Sequence, residues 1–143
     1  MIDHNSHTEE MPEFCNDYLY LIVDERAHLM YSMWTRSPDR QEYREAAEIF
    51  IGFLRENHIR YWIQNTNHLG EVPLEEMKAA MQQFMPLAPT TLRKLARICS
   101  DEQSVATFMK LASQTIEQLS PNIEIQSFMT YREAVDWISS DRQ

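Results

Sequence analysis

The residues best suited to chemistry gather in one stretch, Asn65-Thr66-Asn67-His68, which follows the apolar segment Tyr61-Trp62-Ile63-Gln64 and ends in Leu69-Gly70. An imidazole, a hydroxyl and two amides within four residues supply a base, a nucleophile and hydrogen-bonding groups. A general base works only with a partner in hydrogen-bond reach and a pocket around both. Cys99 is a second candidate, because it ends an apolar run just before Ser100. A helix starting there would lower a thiol pKa. His68 with Cys99 is thus a conceivable hydrolase pair. The simpler reading makes Cys99 a small buried apolar residue and His68 an exposed loop histidine, and on it no catalytic residue and no enzyme are expected. Arg36, with the helix starts at Ser37, Ser100 and Thr130, offers charge and N–H donors to an anion. His4 and His7 are spaced for one helix face, but no third ligand lies nearby, so no metal is expected.

The bulk numbers narrow the classes. The chain has 143 residues, 43% of them apolar, which suits one domain with a real core. Only 2 glycines occur, which excludes a Gly-rich phosphate cradle and a dinucleotide fingerprint. A formal charge of −9 repels nucleic acid and anionic lipid. No apolar run approaches the roughly 20 residues of a membrane span. The start of the chain is polar and acidic, unlike a signal peptide. Cys15 and Cys99 match no metal spacing. A reduced, cytoplasmic protein without cofactor is expected.

The elements that position these residues follow from periodicity. Met1 to Asp17 shows no period and reads as a flexible tail, with 18–143 as one domain. Tyr18–Val23 and His28–Thr35 are apolar strands joined by a short polar turn, hence an antiparallel hairpin. Ser37-Pro38 reads as an N-cap and first turn. The helix it opens carries Tyr43, Ala46, Ala47, Phe50, Phe53 and Leu54 on one stripe. The third strand and the Asn65–Gly70 loop follow. Pro73 opens a helix with Leu74, Met77, Ala80, Met81 and Phe84, ended by Pro86 and Pro89. Leu95–Cys99 is a fourth strand. Ser100 and Gln103 form a capping box for a helix burying Val105, Phe108, Met109, Ala112 and Ile116. Ile123–Phe128 alternates as an edge strand. Thr130 and Glu133 cap a last helix with Ala134, Val135, Trp137 and Ile138. The sum is a five-stranded mixed sheet, parallel beyond the hairpin, with about four helices. The first strands are apolar on both faces, so a bare face would meet a second copy, and a homodimer is expected.

Element order, the strand and loop Trp62–Gly70, and the ending Phe128-x-x-Tyr131-Arg132-Glu133-Ala134-Val135-Asp136-Trp137-Ile138 together resemble the SpoIIAA-like group of the STAS fold, over Tyr18 to Ile138. The resemblance implies a βα superhelix with strands in chain order and a non-enzymatic role in regulation or small-molecule binding. Anti-sigma-factor antagonists of that fold carry Asp-Ser-Ser-Gly-Leu-Gly after the third strand, the second serine accepting phosphate. The corresponding stretch here is similar to it only at Leu69-Gly70. Asn65 replaces the aspartate, and Asn67, without a hydroxyl, stands at the acceptor position. Thr66 is the neighbouring hydroxyl at which phosphorylation would have to occur. The implied module binds a protein partner through Arg36, Ser37, Asn65, Thr66, Asn67, His68 and Ser100. The alternative is an apolar or acyl ligand carrier, its pocket lined by some of the 9 methionines.

Overall fold

The structure, a computed structural model, describes residues 12–83, 91–101, 106, 110 and 123–141. Its strands are β1 (Glu13–Cys15), β2 (Leu19–Asp24), β3 (Leu29–Trp34), β4 (Tyr61–Asn65), β5 (Lys94–Ile98) and β6 (Glu124–Phe128). Its helices are α1 (Arg40–Glu56), α2 (Leu74–Gln83) and α3 (Tyr131–Asp141). The strands lie side by side in chain order in one sheet. β1, β2 and β3 are antiparallel neighbours, while β3 to β6 run parallel. This is the mixed sheet expected, with one correction, six strands instead of five; three helices have their bounds among the described residues, where about four were expected.

The sixth strand is β1, inside the segment expected to be a tail. Phe14 packs on the core while Glu13 and Cys15 stay exposed, and all three pair with β2. One inward apolar residue in three is too short a pattern to register in sequence; pairing with β2 makes the strand. The fourth expected helix falls largely outside the described residues, although Ala106 and Lys110 are helical. The prolines expected to end α2, the Gln103 side of the Ser100 cap, and His4 and His7 also lie outside them.

Alternation divides the sheet into two faces. On the front, Leu19, Leu21, Val23, Met30, Trp34, Trp62 and Leu95 form one core with Ala46, Phe50 and Leu54 of α1. Trp34 touches Tyr18, Tyr43 and Phe50 ring to ring, and Phe50 meets Trp62 with centroids 4.8 Å apart. On the back, Tyr61, Ile63, Ala96 and Ile98 pack under Ala134 and Ile138 of α3. Ala96 and Ala134 are fully buried, which lets helix and sheet approach closely. The Thr130–Glu133 cap expected from sequence starts α3: the Glu133 N–H donates to Thr130 Oγ1, and Glu133 Oε1 accepts from the Thr130 N–H.

The start of α1 corrects the sequence reading. The N-cap is Asp39, not Ser37. Asp39 Oδ1 accepts from the Glu42 N–H at 2.8 Å, and Glu42 Oε1 accepts from the Asp39 N–H at 2.9 Å. Replacing Asp39 by alanine is expected to cost about 1 kcal/mol in denaturant unfolding, the usual loss for such a cap. An effect near zero would mean another residue caps α1 in solution.

Candidate functional site

Parallel strands present their following loops at one end of the sheet, and open α/β sheets gather ligands at such ends. Here β3, β4 and β5 deliver the loops at residues 35–39, 66–70 and 99–101. The residues singled out from sequence are brought together there, and most bind one another. Ser37 Oγ donates to the Leu69 carbonyl at 2.7 Å, joining the first loop to the second. Asn67 Oδ1 accepts from the Ser100 N–H at 3.1 Å, joining the second to the third. Thr66 Oγ1 and the Thr66 N–H both reach the Ile98 carbonyl, at 2.7 and 2.9 Å. Asn65 Oδ1 accepts from the Asn67 N–H, a local Asx turn, while its amide nitrogen donates to Tyr31 Oη. Leu69 is buried beneath the loop, and Gly70 leaves it with φ +79°.

These bonds redefine several residues. Thr66 is 5% exposed and its hydroxyl is held by backbone, so in this arrangement a kinase has no access to it. Its role is to lock β4 to β5. Cys99 is buried and its sulfur faces the Asp101 carbonyl at 3.7 Å. Both candidate nucleophiles therefore contact backbone acceptors rather than an imidazole. Asn67, His68 and Ser100 are exposed.

Arg36 is also engaged. Its guanidinium makes a two-pronged contact with Glu42, both bonds 2.9 Å, and lies over the Tyr18 ring at 5.8 Å. The fork, with the Asp39 N–H, holds the Glu42 carboxyl down at about 2, against an ordinary 4.5. Because the folded pKa is depressed, the stabilisation is complete above about pH 4.5 and is lost as pH falls through about 2. NMR titration of the Glu42 carboxyl should give a midpoint near 2, and Arg36→Gln should move it up toward the ordinary range. A wild-type midpoint near 4.5 would show the exposed pair not to form in solution.

Sequence reasoning missed a second polar group, beside the loops on the front face. Glu76, nearly buried in the first turn of α2, accepts from Arg44 through both carboxylate oxygens and from Arg40 Nε at 3.0 Å. One carboxylate thus clamps α2 to α1 through two arginines, spaced i and i+4 on α1 and largely exposed. Below them, Arg97 is buried in β5. Burial lowers its pKa, opposed by Cys99 and Tyr43. Burial raises the Tyr43 hydroxyl pKa, with Arg97 pulling it back and Glu76 pushing it further up. The available signal was one arginine inside the apolar run Leu95-Ala96-Arg97-Ile98.

No helix among the described residues is long and apolar enough to cross a membrane. No protein-family model matches the chain, and no curated protein matches it significantly. Among solved structures, it is similar to an uncharacterized protein of the DUF3478 family with a SpoIIAA-like fold, from Shewanella loihica PV-4. The TM-score is 0.55 at 13% identity, over 87% of this chain and 98% of the other. Strand order, antiparallel start and parallel remainder agree with that likeness, and the chain therefore has a SpoIIAA-like α/β fold.

Proposed function

We propose that the protein is a non-catalytic binding module that docks a protein partner on the loop platform at the carboxyl ends of β3, β4 and β5. The observation that carries this reading is the stitching of three loops into one surface by Ser37–Leu69, Thr66–Ile98 and Asn67–Ser100. Side chains bonded across loops arrive at an interface already ordered, so less conformational entropy is lost on binding. Asn67 and His68 stand exposed at the centre of the platform, and the nucleophile candidates beneath them are held by backbone. That arrangement favours recognition over covalent chemistry, and it does so without a phosphate acceptor at Asn67.

The test is site-specific photo-crosslinking in the native cell. A crosslinking residue at His68 should trap a discrete adduct, and one at Glu48, exposed on α1, should not. The adduct should weaken when Ser37→Ala removes a stitch. Equal labelling from both positions, or none from His68, would overturn the reading. Native mass spectrometry of the purified chain covers the second reading: a stoichiometric added mass would make the protein a ligand carrier.

A further inference from the structure

Two like charges stand side by side at the end of the sheet opposite the loop platform. Arg60 immediately precedes β4, and Arg93 immediately precedes β5. Backbone bonds fix them as neighbours: the Arg60 carbonyl accepts from the Arg93 N–H at 2.8 Å and from the Lys94 N–H at 3.1 Å. The residues that follow them, Tyr61 and Lys94, pair in register and both turn to the back face, Tyr61 into its core and Lys94 Nζ to the Trp137 carbonyl of α3. Alternation therefore sends Arg60 and Arg93 together to the other side, from strands about 4.8 Å apart. Like charges directly opposite one another destabilise a sheet.

No described carboxylate offsets the pair. Both arginines are exposed, and neither side chain makes an ion pair or hydrogen bond with a described residue. Asp24, at the same end, accepts instead from the Arg26 and Ala27 N–H groups of its own turn. Glu25, Glu56 and Glu124 are exposed there and form no ion pair with either arginine. Residues 84–90, which precede this strand entry, contain no acidic side chain, and 102–122 contain only Glu102 and Glu117. The chemistry of the pair selects its ligand. One guanidinium fork already matches the two oxygens of a carboxylate. A phosphate monoester carries close to −2 charge near neutral pH and three acceptor oxygens, enough for both forks. The formal charge of −9 opposes a long polyanion such as nucleic acid. Its field is largely screened beyond about 8 Å at physiological salt, so a single small dianion responds first to the two arginines.

We infer that Arg60 and Arg93 form a binding site for one phosphate group, held by both guanidinium side chains at the amino ends of β4 and β5. The site lies at the other end of the sheet from the loop platform, so either proposal can fail alone.

Titration of the full chain with inorganic phosphate, at an ionic strength held constant with chloride, tests it by NMR of the arginine Nε–H groups. Arg60 and Arg93 should shift together and saturably, while Arg132, exposed on α3, should not move. Arg60→Gln and Arg93→Gln should each weaken binding by roughly tenfold, the loss expected for a hydrogen bond to a charged group. Both side chains are exposed and repel each other, so neither variant should lower the Tm without phosphate. Phosphate should raise the wild-type Tm and leave that of the variants unchanged. A phosphoserine peptide and phenyl phosphate, titrated in parallel, separate the sources: the tighter of the two shows whether the group comes from a protein or from a small molecule. Shifts that never saturate, equal shifts with chloride alone, or undiminished binding in Arg60→Gln would mean an adventitious ion only and overturn the inference. A Tm lowered in both variants without phosphate would overturn it as well, since the arginines would then serve the fold.

Discussion

Replacing Trp62 by alanine is expected to cost about 3–5 kcal/mol, the range for truncating a large buried aromatic side chain. Against the roughly 5–15 kcal/mol total of a typical domain, that removes from about a fifth to all of the stability. Trp62 is 3% exposed, in the central strand of the front-face core, with its ring against Phe50 of α1. Its Nε1 donates to Ser32 Oγ at 2.9 Å, and Ser32 is fully buried in β3. Two losses therefore combine, a cavity between β4 and α1 and the loss of the donor that serves a buried hydroxyl. Trp62→Phe separates them. It keeps much of the packing and removes the donor, so it should cost less, with about 1 kcal/mol assigned to the hydrogen bond. Chemical denaturation should show a lower midpoint and an unchanged slope in both variants. If Trp62→Ala cost under about 1 kcal/mol, the surroundings would have to collapse into the space, contrary to a sheet fixed on both sides by its neighbours.

The parts of this fold legible in sequence were those in which one element carries its own signal. The hairpin β2–β3, the apolar stripe of α1 and the Thr130–Glu133 cap are local patterns, and each appears in place. β1 was illegible because Glu13-Phe14-Cys15 becomes a strand only by pairing with Tyr20, Leu21 and Ile22. Ser37-Pro38 was misread for a related reason. Its hydroxyl is suited to a cap, but the hydroxyl serves a carbonyl 32 residues away, and Asp39 with Glu42 caps α1 instead. Thr66 follows the same rule: the carbonyl that its hydroxyl reaches, Ile98, is also 32 residues distant. That three loops should meet at one sheet end follows from parallel topology, so the place of the site was readable. Which atoms bind one another there depends on register, which sequence patterns do not specify at loop positions. Arg97 was overlooked because it interrupts an apolar strand, and of the groups that act on its charge Tyr43 comes from α1, more than 50 residues away in the chain.

Gly70→Ala is the second large effect expected, and it tests the platform itself. Gly70 has φ +79°, a conformation that costs an ordinary L-residue about 1–2 kcal/mol. An added Cβ would also run into Ser37 Oγ, the atom that donates to Leu69. Displacing that hydroxyl gives up the bond between the first two loops, about 1 kcal/mol more. The variant should therefore lose roughly 2–3 kcal/mol, more than Ser37→Ala alone. Ser37→Ala removes the colliding oxygen and leaves its own Cβ 3.7 Å from the new methyl, an ordinary contact. The double variant should thus cost less than the sum of the singles, by about 1 kcal/mol, as expected when two residues share one contact. Simple additivity would mean that the loops do not touch in solution, and the platform would lose its main support. Non-additivity, with loss of the His68 crosslink in Gly70→Ala under conditions where the variant remains folded, would tie recognition to the arrangement of the loops. A glycine at this position is then required by the approach of a neighbouring loop as well as by its own backbone angle.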